Sequence, residues 1–275
     1  MSDFYCGRVA PTPTGYLHAG HALTFRTAYE RARAQAGRLI LRIEDLDPAR
    51  CRREYVDGVM DDLRWLGIAW DGEVVFQSAR RERYLEVWRR LRDGRWIYPC
   101  RRSRRDVAKA SMAPHGEEPV FPVEWRSDPD ESGLYDEPAG VNWRFRVPDG
   151  ERMEFVDANV GAFERVALKD FGDFVVWSRD DIPAYELAVV VDDIDAGITE
   201  VVRGVDLLTS TARQALIYRA LSAKRPGTFH TPLVVDEAGR RLAKRSGGWS
   251  VRELRERGMT PEDVVAFASL HLAGN

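Results

Sequence analysis

The sequence predicts a doubly wound α/β fold, a parallel sheet with helices on both faces, interrupted by an inserted α+β subdomain. Three observations carry this expectation. The first hundred residues alternate short apolar runs with stretches of helical periodicity. A segment rich in Pro, Gly, Asp and Glu at residues 112–140 breaks the alternation, and strand-like pieces follow it. The alternation then returns from residue 184 onward.

The elements follow in order. Phe4 to Ala10 reads as a short buried strand, followed by the Pro-Gly stretch APTPTGYLHAGH at 10–21. Residues 20–36 carry Leu23, Phe25, Ala28, Tyr29 and Ala32 at helical spacing, with Gly37 suited to the C-terminal cap. Arg38 to Glu44 (RLILRIE) is the next strand. Helices are expected over 51–66 and 79–93, with Gly67 and Gly94 just beyond them and Ser78 as an N-cap. Strands are expected at 96–100, Asn142 to Val147, Glu154 to Val160 and Asp173 to Trp177. YELAVVVDD is a helix or a strand, ITEVVRG a strand, and Thr211 to Leu221 a helix. A strand near 229–235, the loop DEAGRRLAKRSGG and a helical tail complete the chain. The expected division is 1–94 for the first half of a Rossmann-type domain, 95–175 for the insertion and 176–275 for the second half.

Composition narrows the class. With 275 residues, 44% of them hydrophobic, the chain can bury a substantial core, and no apolar run reaches a transmembrane length. MSDFYCGR lacks a signal-peptide pattern. Cys6, Cys51 and Cys100 are too few and too scattered for a disulfide framework, which points to the cytoplasm. A net charge of −3 supplies no global field for nucleic acid, so such contacts need a local patch; Arg101, Arg102, Arg104 and Arg105 form one, or else a solvated helix start. Of 41 basic residues only Lys109, Lys169, Lys224 and Lys244 are lysines, so a lysine kept in a loop is informative.

In a doubly wound sheet, ligands sit at the carboxyl ends of the strands. The loop at 10–21 and Glu44 both fall there. Thr14-Gly15 allows close backbone approach, and His18 and His21 stand at a helix start, where N–H groups and the positive dipole end favour phosphate; each alone also reads as a surface or capping residue. Strand alternation puts Leu39, Leu41 and Ile43 on one face and Arg42 and Glu44 on the other. Glu44 can receive an ammonium group or pair with Arg42. Arg8 and Arg203 can fork a carboxylate or make structural ion pairs. Tyr185 reads as core by default. RRLAKRSGG reads as a solvated charge run, except that it holds Lys244.

Together these residues resemble the catalytic domain of class I aminoacyl-tRNA synthetases, in the glutamyl branch. APTPTGYLHAG resembles that branch's HIGH motif, with His18-Ala19-Gly20-His21 at its core. RLAKR (241–245) resembles KMSKS, with Lys244 on the second lysine. RIEDLDPAR and ITEVVRGVDLL also match. Only about 30 residues follow Lys244, so the resemblance is to the truncated glutamyl-queuosine tRNA(Asp) group, which lacks the anticodon-binding domain. It implies a ligase that activates L-glutamate with ATP and Mg²⁺ without tRNA. Glutamate then passes to the queuosine base of the tRNA(Asp) anticodon. It further implies a cytoplasmic monomer with no membrane partner. By motif match, Arg8, Val9, Ala10, Pro11, Thr12, Glu44, Tyr185 and Arg203 would contact glutamate. His18, Gly20, His21, Arg241, Leu242, Ala243, Lys244 and Arg245 would contact ATP, with His18, His21 and Lys244 catalytic.

Two departures stand out. The family often binds zinc in the insertion through Cys-x-Cys and a later Tyr-x-x-x-Cys. The corresponding positions here are Cys100, Arg102, Phe121 and Trp125, which leave one thiolate, so no zinc is expected and an apolar cluster is expected instead. In the KMSKS-like loop, Arg241 stands at the first lysine and Ala243 at the serine. Three other readings compete: a tRNA-independent adenylate-forming ligase, a glutamate- or ATP-binding paralogue with weakened catalysis, and a tRNA(Glu)-charging synthetase fragment. The first would not need the set Arg8, Glu44, Tyr185 and Arg203; the second predicts no turnover; the third predicts charging of tRNA(Glu).

Overall fold

The computed structural model describes residues 4–103, 105–107, 119–235 and 249–273. The chain opens β1 (Cys6–Val9), α1 (Ala19–Ala34), β2 (Arg38–Ile43), α2 (Arg53–Trp65), β3 (Val75–Phe76) and α3 (Arg81–Asp93). β1 pairs with β2 and β2 with β3, all parallel. This half therefore steps outward from β1 in one direction. After the insertion come α4 (Tyr185–Asp195), β9 (Glu200–Gly204), α5 (Leu208–Ala220) and β10 (Gly227–Thr231), with β9 and β10 parallel. The Thr199 N–H donates to the Cys6 carbonyl at 2.8 Å, which sets β9 beside β1. The second half thus grows in the opposite direction from β1, and the strand order reverses between β1 and β9. Such a switch point opens a crevice beyond the strand ends.

The insertion holds β4 (Ile97–Cys100), β5 (Asn142–Phe145), β6 (Arg152–Asp157), β7 (Gly161–Val166) and β8 (Phe174–Trp177). β4, β5 and β8 form an antiparallel sheet, and β6 and β7 an antiparallel hairpin. One core cluster packs Trp88 of α3, Trp143 and Trp177 of this sheet, and residues of α4 and α5, so the sheet lies directly on the helices of the parallel half. A second cluster joins β1, β2, α1 and α2 to α6 (Val251–Glu256) and α7 (Pro261–Leu270). The predicted alternation of RLILRIE is present: Leu39, Leu41 and Ile43 belong to this cluster, while Arg42 is fully buried on the other face.

Several local expectations are corrected. Ala36, not Gly37, takes the left-handed backbone after α1, at φ 48°. Gly37 is required for space, since a Cβ there would lie 2.6 Å from the Tyr5 carbonyl oxygen. Ser78 does not cap α3; its N–H and hydroxyl both donate to Asp45, at 2.9 and 2.6 Å. The strand expected over Glu154 to Val160 ends at Asp157 and turns back as β7, which the sequence reading did not anticipate. YELAVVVDD is helical, and the strand expected near 229–235 runs over Gly227–Thr231.

Candidate active site

The first loop is built around the carboxyl ends of β1 and β2. The Glu44 N–H donates to the Pro11 carbonyl at 3.0 Å, and the Arg52 N–H to the Pro13 carbonyl at 3.3 Å. The Thr12 hydroxyl donates to Glu44 Oε2 at 3.3 Å. The Val9 side chain faces the core, so what Val9 can offer a ligand is backbone.

The loop ends at α1. His18 is the N-cap, and its N–H donates to His21 Nδ1 at 3.2 Å, a reciprocal cap closed by imidazoles. The two rings lie against each other, tilted by 33°, with centroids 3.7 Å apart. Gly20 makes room for this: a Cβ there would lie 3.1 Å from the His18 ring. The predicted partner loop lies outside the described residues, and with it Arg241, Leu242, Ala243, Lys244 and Arg245. Its two flanks are described, and both reach this helix start. The Ala19 N–H donates to the Trp249 carbonyl at 3.1 Å, and His18 bridges to Ser250. On the other side, the Val234 Cβ lies 3.5 Å from where a Gly20 Cβ would stand.

Around the β1–β9 crevice, charges are buried and unevenly matched. Arg42 donates to Asp193 Oδ1 at 2.6 Å and to Glu44 Oε1 at 3.3 Å, with Asp192 at 3.7 Å. The Arg42–Glu44 pair read as one alternative in the sequence exists, but Asp193 holds Arg42 more closely. Burial pushes the Glu44 carboxyl up, opposed by the Arg42 and Arg8 charges. Arg8, 4% exposed, donates through Nη1 to the Val202 carbonyl at 3.0 Å, and its Nε lies 3.6 Å from Asp193.

Arg203 differs from both. It is 5% exposed, and its partners are the His230 Nε2, the Gln214 Oε1 and the Thr211 hydroxyl, at 3.2, 2.8 and 2.8 Å. All three are neutral. Among the described residues no carboxylate is hydrogen-bonded to this guanidinium, and Glu186 acts on it only through its charge, so Arg203 can take an anion as a direct partner. Tyr185 is 36% exposed rather than core. The crevice walls around its ring still screen it from solvent and push its phenol up, and the charges acting on it are Arg203, Glu44, Glu186 and Arg8. Four residues predicted from sequence for one ligand therefore converge on a single electrostatic site: two cations, a carboxylate and a phenol. Such a set matches an α-amino acid with an acidic side chain.

Sequence reasoning missed Asp193, Thr211, Gln214 and His230, which orient the cations. One signal was visible: VVVDD sets two carboxylates in an apolar run, and buried carboxylates must find cations.

The four positions of the family's zinc set come together in the insertion. Cys100 and Phe121 are buried in one cluster with Tyr98 and Val107, and Trp125 packs against it. Phe121 and Trp125 meet edge to face at 5.9 Å. The Arg102 guanidinium lies 4.7 Å over the Trp125 ring, and that of Arg144 4.3 Å over Phe121. These side chains do not fit a tetrahedral structural zinc, which takes four ligands: of the four positions, only Cys100 can be one.

Comparison with known proteins agrees with this geometry. Residues 6–274 match the catalytic domain of the class I tRNA synthetases (E and Q). The chain is 43% identical to the glutamyl-Q tRNA(Asp) synthetase of Rhodopirellula baltica, across 98% of this chain and 85% of that one. It is also 43% identical to the enzyme of the same name from Symbiobacterium thermophilum, with the same coverage of 98% and 85%. A solved glutamate tRNA ligase from Elizabethkingia meningosepticum, crystallised with its amino acid, superposes with a TM-score of 0.80 at 25% identity. That match covers 97% of this chain but 60% of the ligase, so the chain spans little more than half the length of the solved enzyme. The chain belongs to the class I tRNA synthetases of the glutamyl and glutaminyl type, and within them to the glutamyl-Q tRNA(Asp) synthetase group.

Proposed function

We propose that this protein activates L-glutamate with ATP, without tRNA, and transfers the glutamyl group to the queuosine base in the anticodon of tRNA(Asp), acting as a cytoplasmic monomer. The observation that carries the reading is Arg203, a buried guanidinium with neutral partners, beside Glu44, Arg8 and Tyr185. In this reading Arg203 takes the side-chain carboxylate of glutamate. Glu44 takes the α-ammonium, with the Thr12 hydroxyl steadying Glu44. Arg8 and the backbone of Val9, Ala10 and Pro11 border the amino acid, and Tyr185 closes it from α4.

The α-carboxylate of glutamate attacks the α-phosphate of ATP in line; the bond to pyrophosphate breaks and glutamyl-adenylate forms. A carboxylate nucleophile needs no general base, so catalysis is positioning and charge stabilisation. His18 and His21, side by side at the first turn of α1, donate toward the phosphates as charge moves to pyrophosphate, and the amides and dipole of α1 add to this. Lys244 supplies a further positive charge from the 241–245 loop, and Arg241 another. The flanks of that loop at Val234 and Trp249 support this role, because both lie at the His18 end of α1. Mg²⁺, when bound with ATP, neutralises the triphosphate. We propose that the insertion carries no zinc and that the Phe121–Trp125 cluster ties its loops instead.

The test is transfer of labelled glutamate to tRNA(Asp) with and without queuosine, and to tRNA(Glu). Labelling of queuosine-containing tRNA(Asp) alone is the expected result. Labelling of tRNA(Glu) at its acceptor end would overturn the reading in favour of a tRNA-charging synthetase.

A further inference from the structure

Arg203 is oriented by residues outside the amino-acid site, and the chain of contacts has a direction. Asp157 closes the β6–β7 hairpin of the insertion. Its Oδ1 accepts the N–H groups of Asn159, Val160 and His230 at 3.0, 2.9 and 3.1 Å. These bonds overcome burial and hold the carboxyl down at about 2, so Asp157 is ionised. Its Oδ2 faces His230 Nδ1 at 2.7 Å, and both side chains are fully buried. On the far side of the ring, His230 Nε2 lies 3.2 Å from Arg203 Nε. A guanidinium nitrogen can only donate, so Nε2 accepts, and the ring proton sits on Nδ1 toward Asp157. Burial and the Arg203 charge both push the His230 imidazole down, in keeping with a neutral ring.

Among the described residues, His230, Gln214 and Thr211 take three of the five N–H donors of Arg203. One N–H on each terminal nitrogen is left for a substrate carboxylate. We propose that His230 is a positioning residue for amino-acid recognition: held in one tautomer by Asp157, it fixes the Nε edge of Arg203 and so presents the two remaining donors to the substrate carboxylate. This rests on the assignment of Arg203 to the glutamate side chain. It also makes the inserted hairpin part of the amino-acid site, since Asp157 and Asn159 both anchor β10 at His230, the latter through its amide to the His230 carbonyl at 2.8 Å.

Two substitutions separate positioning from structural support. In His230→Asn the amide reproduces the Nδ1 edge and keeps the Asp157 bond but loses Arg203. In His230→Gln the amide reaches the Nε2 position and can accept from Arg203 but loses Asp157. Glutamate-dependent ATP–pyrophosphate exchange is measured for both, with melting temperatures. Positioning predicts a glutamate KM raised about tenfold or more in His230→Asn, closer to wild type in His230→Gln, and an ATP KM unchanged in both. The reverse order, or equal rises in both KM values, would overturn it.

Asp157→Asn is an independent check. Three N–H donors keep the amide oxygen at the Oδ1 position, so the amide nitrogen faces Nδ1 and drives the ring proton to Nε2, against the Arg203 N–H. A raised glutamate KM is expected, and an unchanged one in the folded variant would overturn the proposal. Absence of glutamate-dependent exchange in the wild-type protein would instead overturn the glutamate assignment beneath it.

Discussion

Asp62→Asn should stabilise the protein in a pH-dependent way. Asp62 sits on α2 with its side chain fully buried, and among the described residues neither carboxylate oxygen has a well-formed hydrogen bond, the Leu17 N–H acting on it from outside good bonding geometry. Its nearest cation, the Arg252 Nε, is 3.6 Å away, and Arg252 also lies 4.3 Å over the Tyr16 ring. Burial pushes the Asp62 carboxyl up from 3.8 to about 6, with Arg252 only partly opposing it. A folded value above the unfolded one means that the folded state holds the proton more tightly. Below both values the group costs nothing; as pH rises through the interval between them, ionisation destabilises the fold, and the cost is complete above the folded value. About two units correspond to roughly 3 kcal/mol at pH 7.5 and roughly 0.5 kcal/mol at pH 4. A neutral amide removes that cost. Thermal melts of both proteins should therefore differ by on the order of 5 °C at pH 7.5, the variant being higher, and nearly coincide at pH 4. A variant that is less stable at pH 7.5 would refute the reasoning and show that the Asp62–Arg252 pair holds the fold together; one equally stabilised at both pH values would refute titration of Asp62 as the cause.

Three further outcomes follow from the site and the insertion. Arg203→Lys keeps the charge but loses the fork, and should raise the glutamate KM about 30-fold, roughly 2 kcal/mol, with the ATP KM unchanged in exchange assays. Lys244→Ala should slow adenylate formation by about a hundredfold or more in single-turnover assays while the melting temperature stays within experimental error; an unchanged rate would remove Lys244 from the reaction. Phe121→Ala, which truncates a side chain 1% exposed, should cost about 3–5 kcal/mol in denaturant unfolding. The wild-type melting temperature should not respond to a chelator, and a chelator-sensitive transition would contradict the apolar cluster as the tie.

The elements were legible where local pattern decides them. β2 shows in RLILRIE because one face is apolar and the other carries Arg42 and Glu44. The proposed site residues were read from motifs at two strand ends and a helix start. What was not legible depends on partners far apart in sequence. Ser78 has the chemistry of an N-cap, yet Asp45 captures it, and only the folded pairing of β2 with β3 brings the two together. Tyr185 reads as core by residue type, but its place at the start of α4 opens it to the crevice. Whether Arg203 is paired or poised cannot be read from ITEVVRG. The answer lies in Thr211 and Gln214 on α5 and in His230 on β10, and behind His230 in a hairpin of the insertion.

The measurement that tests the central claim most directly is ATP–pyrophosphate exchange by the purified protein without tRNA, with glutamate, glutamine or aspartate as the amino acid. Exchange with glutamate, and little with the other two, is the predicted result, because in the proposed site Arg203 takes the side-chain carboxylate while Glu44 takes the ammonium. Exchange with none of the three, or equal exchange with glutamine, would contradict the account.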